Sequence, residues 1–217
     1  MGNQRQMTDS QTQQANAWLK PGQVRDLRRA AQREETPAYL RDRNETIVAL
    51  MYDTGLRVGE LVALDVGHLY LDGDEPYLAL PADIQKDYPT NRSPMYTEIR
   101  LGVDEATYDT PSRLRSYLRH RWKESPALFP SRQRDRMTTE AVRHMIRALA
   151  EAADVRPHTL TGRRGDPSDV TPHVLRHSVG YRMLHDEDGY TLYDVRNRLR
   201  HATIRTTEKV YDHFDRV

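Results

Sequence analysis

The sequence predicts an α+β fold that is mainly α-helical, with one small antiparallel sheet, and three observations carry that expectation. Apolar residues recur at helical spacing along most of the chain, the period drops to two only between residues 68 and 101, and 217 residues suffice for one domain with a sizeable core.

The elements follow in order. Residues 1–17 are rich in Gln, Asn, Ser and Thr with almost no apolar content. They cannot bury enough surface to offset the entropy of ordering, so a disordered tail or linker is expected, with the fold starting near Trp18. Pro21 and Gly22 open a helix of about 22–33, and a second, about 37–53, carries Ile47, Val48, Leu50 and Met51 before Gly55 stops it. A short helix, 57–64, turns Val58, Leu61, Val62 and Leu64 inward. Residues 68–72, 76–80 and 94–101 alternate apolar and polar and are expected to form three antiparallel strands, separated by an Asp-Gly-Asp-Glu turn and a polar loop. Helical patterns resume at about 110–123, 138–153, 172–186, 191–199 and 203–214; in the second of these Val142, Met145, Ile146, Leu149 and Ala150 share a face. The loop 154–171, with two Pro and two Gly, is long for a compact domain and is expected to be functional. No internal repeat is visible.

Composition removes several function classes. The chain has no cysteine, which excludes disulfide frameworks, thiol nucleophiles, iron–sulfur clusters and Cys-based zinc sites. No stretch approaches the roughly 20 apolar residues of a membrane helix, and residues 1–17 lack the order of a signal peptide, so an intracellular protein is expected. The net charge of +1 hides an asymmetry: residues 1–111 hold 12 Lys+Arg against 18 Asp+Glu, whereas residues 112–217 hold 21 against 14. Arginine outnumbers lysine by 29 to 4. A GC-rich genome explains such a ratio, and so does a polyanionic partner gripped by guanidinium forks; the charge split is a separate sign of such a partner.

Four local patterns bear on chemistry. In Thr54-Gly-Leu-Arg-Val-Gly-Glu60, the glycine places Arg57 at a helix start whose N–H groups favour an anion, with Glu60 one turn on to hold it; a surface arginine beside a capping turn is the plainer alternative. In Thr171-Pro-His-Val-Leu-Arg-His177, Thr171 suits an N-cap and Pro172 the first turn, so His173 and Arg176 share the amide end of a helix and outline a phosphate pocket. His173 and His177 are spaced to bridge a metal, but Val174 stands where zinc hydrolases need Glu, so no metal is expected and His177 is expected to pack in the core. His201 precedes a helix that carries Tyr211 near the end of the chain, and Lys86 falls in the loop between two strands.

These residues, in this order, resemble the catalytic domain of the tyrosine recombinase (phage integrase) family, whose signature is an Arg in a TGLR-x-x-E helix start, a hairpin Lys, H-x-L-R-H, a late G-H and a Tyr. The likeness covers about 18–217. It implies that fold and an active site of Arg57, Lys86, His173, Arg176, His201 and Tyr211, with Glu60 and His177 behind it. Tyr211 would attack a scissile phosphate and form a 3′-phosphotyrosine with neither ATP nor metal nor other cofactor. Arg57 and Arg176 would hold the non-bridging oxygens, His173 act as general base, Lys86 as general acid, and His201 donate to the phosphate. Leu199-Arg200-His201 stands where the family has Leu-Gly-His, so an arginine makes a turn that glycine usually eases. Tyr190 and Tyr193 precede His201 and fit no part of the signature.

A site-specific recombinase or integrase is thus the expected function, in the cytoplasm of a prokaryotic or virus-infected cell. A topoisomerase-like or telomere-resolvase-like strand transferase, or a catalytically silent DNA-binding module, are the alternatives. Double-stranded DNA is the expected partner, with weak self-association, tetramers only on DNA and no membrane contact. Arg92, Arg163, Arg164, Arg198, Arg200 and Arg205 are candidate phosphate contacts, and neither Arg57 nor Arg176 is expected to lie in the core. The helical DNA-clamping domain that precedes the catalytic one in full-length members is expected to be absent, since residues 1–17 cannot supply it.

Overall fold

The computed structural model describes residues 17–85, 95–103, 109–185 and 189–211. Ala17 is already buried, so the ordered fold begins ahead of Trp18, and the rest of the expected tail lies outside the described residues. Trp18 exchanges backbone hydrogen bonds with His158 (3.1 and 2.8 Å), and its ring stacks on His158 and Tyr181. The long loop is thereby tied to the start of the chain.

Eight helices are described: α1 (Pro21–Ala31), α2 (Ala38–Thr54), α3 (Val58–Ala63), α4 (Thr110–His120), α5 (Thr139–Ala152), α6 (Pro172–His185), α7 (Leu192–Leu199) and α8 (Ile204–Tyr211). Each expected helix is present within a few residues; the last is described only to Tyr211. The sheet is three-stranded in the order β1 (Leu69–Tyr70), β2 (Tyr77–Leu80), β3 (Thr97–Arg100). All its pairings are antiparallel. The first two strands are shorter than expected because a 3-10 turn at Val66–His68 and the bends at 72–75 take their end residues, and β3 begins at Thr97. Register decides the faces: Leu78 opposite Ile99 sends both into the core, whereas Tyr70 opposite Tyr77 stacks the two rings 4.5 Å apart on the other face.

Two helices form the centre. From Thr46 to Thr54 every residue of α2 is buried, and α6 is buried from Val174 to Gly180. Neither therefore shows a one-sided apolar stripe. Around them pack amphipathic helices, α1 through Val24, Leu27 and Ala30 and α5 through Val142, Ile146 and Leu149.

The C-terminal end of α2 is the junction that organises the site. A helix end leaves carbonyls without partners and carries partial negative charge. Here arginines of the basic half supply the donors. Arg182 of α6 donates to Tyr52 O (2.7 Å) and covers the Tyr52 ring, Arg198 of α7 donates to Asp53 O (2.8 Å) and to its carboxylate, and Arg176 donates to Gly55 O. Gly55 turns the chain with φ 63°, and a methyl group there would lie 2.4 Å from Leu199 Cδ2, so only glycine fits.

Candidate active site

Arg57 sits at the N-cap of α3, held from two sides. Its backbone N–H donates to Glu60 Oε2 and its Nη1 to Glu60 Oε1, both at 2.8 Å, while Nη2 donates to Arg200 O at 3.3 Å. Glu60 is buried, and its Oε2 also accepts from Arg200 Nη2 at 2.8 Å. Burial alone would raise the Glu60 pKa, but the Arg200 and Arg57 charges outweigh it and hold the carboxyl below its ordinary value.

His173 and Arg176 lie one turn apart at the start of α6, where Thr171 caps the helix through Val174 N–H to Oγ1 (3.4 Å) and Leu175 N–H to its carbonyl (3.2 Å). Arg176 is 3% exposed and donates to Gly55 O and Leu199 O. This corrects the expectation that it lies outside the core: its fork fastens α6 to the ends of α2 and α7. Arg57 is only partly buried, as expected. His173 keeps solvent access; desolvation by its crowded wall, then the Arg176 and Arg57 charges, pull its pKa down to about 4, so the ring is neutral at pH 7. His177 is buried as a core histidine, its ring 4.2 Å from that of His173.

Arg57, His173 and Arg176 meet in a cleft of about 790 Å³. Its wall also holds Gln85, Arg143 and Arg147. The two arginines of α5 were not singled out from the sequence; their four-residue spacing along the flank of the apolar face of α5 was the available signal. Arg143 reaches Thr139 and Glu140 on its own helix, and Arg147 Nε donates to Ser168 O at 3.1 Å.

His201 and Tyr211 stand behind this wall. Arg200 adopts φ 54°, ψ 48° at the end of α7 and turns the chain so that His201 faces α8, where its Nδ1 meets Thr207 Oγ1 at 2.9 Å. Burial, followed by the Arg176 and Arg57 charges, lowers the His201 pKa to about 3. Tyr211 is 1% exposed, with ring centroids 6.1 Å from His177 and 6.4 Å from His201. It lies against Gly180 of α6: a methyl group on Gly180 would fall 2.4 Å from Tyr211 Cε1 and 2.8 Å from its hydroxyl. Burial pushes the phenol pKa well up, partly opposed by Arg176. Tyr190 and Tyr193 are by contrast exposed.

Of the expected phosphate contacts, Arg163 and Arg205 are exposed. Arg164 is exposed too, though its guanidinium lies on Arg156 O. Arg198 and Arg200 turn inward in this structure, Arg198 onto Asp53 and Arg200, 8% exposed, onto Glu60, because the end of α2 and a buried carboxylate both require donors. Lys86 and Arg92 lie outside the described residues. Among the described residues no group of three or more His, Asp or Glu is placed to hold a metal ion, and no helix is long and apolar enough to cross a membrane.

Residues 17–216 match the model of the phage integrase family. The tyrosine recombinase XerC of Roseiflexus castenholzii is 31% identical over 197 residues, covering 91% of this chain and 55% of the relative. XerD of Caulobacter vibrioides is 32% identical over 168 residues, covering 77% and 48%. The chain thus spans about half the length of the curated relatives it matches. In fold it resembles the crystal structure of XerA recombinase (TM-score 0.64, 24% identity, covering 88% of this chain and 58% of that one). It also resembles XerH recombinase bound to its difH substrate before cleavage (TM-score 0.67, 20% identity, 91% and 50%).

Proposed function

The chain belongs to the phage integrase family, and from that premise we propose that it is a site-specific DNA recombinase that cuts and rejoins double-stranded DNA through a phosphotyrosine at Tyr211. The observation that carries this reading is the convergence of Arg57, His173 and Arg176 on one open cleft, with His201 and Tyr211 packed directly behind it.

On this reading Tyr211 Oη attacks the scissile phosphorus and gives its proton to His173, which is neutral at pH 7 and able to accept it. The raised phenol pKa makes such a base necessary. Arg57 and Arg176 hold the two non-bridging oxygens while negative charge builds on the phosphorane, and His201 donates a further hydrogen bond. The bond to the 5′ oxygen breaks as Lys86 protonates it; attack by that hydroxyl in reverse, or by the equivalent one of another strand, restores the backbone without ATP. Because Tyr211 is buried, α8 has to shift before its hydroxyl reaches the phosphate. Arg143, Arg147, Arg163 and Arg205 lie on exposed or cleft surfaces suited to flanking phosphates, which position DNA without reading its sequence. Copies of the chain would assemble on DNA rather than in free solution.

The test is a nicked duplex whose cut releases a short fragment and so traps the intermediate. With DNA from beside the gene as a source of sites, a detergent-resistant protein–DNA species should form in the presence of EDTA and vanish in Tyr211→Phe. No species on any such duplex, or one that survives Tyr211→Phe, contradicts the reading.

A further inference from the structure

We propose that Arg200 is a positioning residue that holds Arg57 toward the cleft and offsets the buried charge of Glu60; the inference rests on the reading of the cleft as a phosphate site. Arg200 occupies the left-handed region, φ 54° and ψ 48°, where an L side chain is disfavoured and glycine is not. No feature of the turn itself calls for arginine. What distinguishes the residue is where its two ends go.

The guanidinium turns away from solvent. Its Nη2 donates to Glu60 Oε2 at 2.8 Å and its Nη1 to Arg198 O at 3.0 Å. Glu60 in turn holds Arg57 through both carboxylate oxygens. The other end is the carbonyl of the same residue, which accepts from Arg57 Nη2 at 3.3 Å. Arg200 therefore braces Arg57 twice, once through Glu60 and once directly.

The charges point the same way. Arg57, Arg176 and Arg200 surround one carboxylate. With Glu60 matched by Arg200, Arg57 and Arg176 both retain their charge toward the cleft, which suits an oxyanion gaining charge in the transition state. Without Arg200, Glu60 would draw more strongly on Arg57 and Arg176, the two charges that face the cleft.

Arg200→Gly and Arg200→Asn both accept the left-handed backbone and remove the guanidinium. Inorganic phosphate binding, followed by ³¹P NMR, is expected to weaken about tenfold in each, and single-turnover cleavage to slow about thirtyfold, while duplex DNA affinity stays within about threefold. Arg200→Lys should recover part of the loss. In a Glu60→Gln background, removing Arg200 should change the cleavage rate by less than about threefold, because the residue acts through that carboxylate. Phosphate binding and cleavage within twofold of the parent, or an undiminished loss beside Glu60→Gln, would overturn the proposal. If Arg200→Gly fails to fold, Arg200→Asn carries the same comparison. Phosphate binding that responds to Arg200 in a protein that never forms a DNA adduct would sink the recombinase reading and leave this one standing.

Discussion

The two sides of the candidate site are prepared differently. Arg57 and His173 look into a cleft open to solvent, fixed by Glu60 and the start of α6, whereas Tyr211 is 1% exposed, lodged against Gly180. Arg57 and His173 are thus already accessible from the cleft. Tyr211, the proposed nucleophile, is withheld, and its contacts are packing contacts that a small displacement of α8 would break. On the proposed function, binding and bond cleavage are therefore separable, and substitutions should sort by side.

The largest effect is expected from Arg176→Ala. It removes a cleft charge and leaves Gly55 O and Leu199 O short of a donor, so cleavage should fall by about a thousandfold and stability by about 3 kcal/mol. Arg57→Ala should lower cleavage by about a hundredfold or more, with a melting temperature close to the parent's, because Arg57 is only partly buried. Equal destabilisation by the two in thermal melts would break the distinction between them. Gly180→Ala tests the other side. Its methyl collides with the Tyr211 ring, a local overpacking of about 1–3 kcal/mol, so nitration of Tyr211 should rise several-fold while the helical circular dichroism stays unchanged. A tyrosine as protected as before would mean that the seat does not hold it.

The smallest effect concerns pH. His177 and His201 titrate below the ordinary histidine range, His201 at about 3. Below pH 6.5 the unfolded chain takes up protons that the folded one refuses, so stability should fall as pH drops from 6.5 toward 4 and be flat from 7 to 8. Melting temperature against pH measures it, and His177→Gln should flatten the slope. The kcat/KM for cleavage, which reports the free enzyme, should keep the proposed base, His173, neutral down to about pH 4 rather than 6.5.

What the sequence disclosed and withheld follows from the range of the forces involved. Arg57, His173 and Arg176 were legible because each sits at a helix start that local residues specify: Gly55 before one, Thr171 and Pro172 before the other. The helices were legible from spacing, including α5 and its apolar face. The direction of the later arginines was not. Arg176, Arg198 and Arg200 turn inward because the end of α2 and Glu60 of α3, more than a hundred residues earlier, leave carbonyls and carboxylates in need of donors. Charge asymmetry between the halves was real, but part of it serves contact between those halves rather than a partner. Tyr211 was assigned by its order in the chain; that it rests against Gly180 depends on packing between α6 and α8, which spacing does not encode.

On the proposed function, Tyr211 is the residue that becomes joined to DNA. Digestion of the trapped protein–DNA species and mass spectrometry of the nucleotide-bearing peptide address it directly. A single modified peptide with the phosphodiester on Tyr211 is expected; a nucleotide on the exposed Tyr190 or Tyr193, or on any other residue, would rule Tyr211 out as the attacking residue.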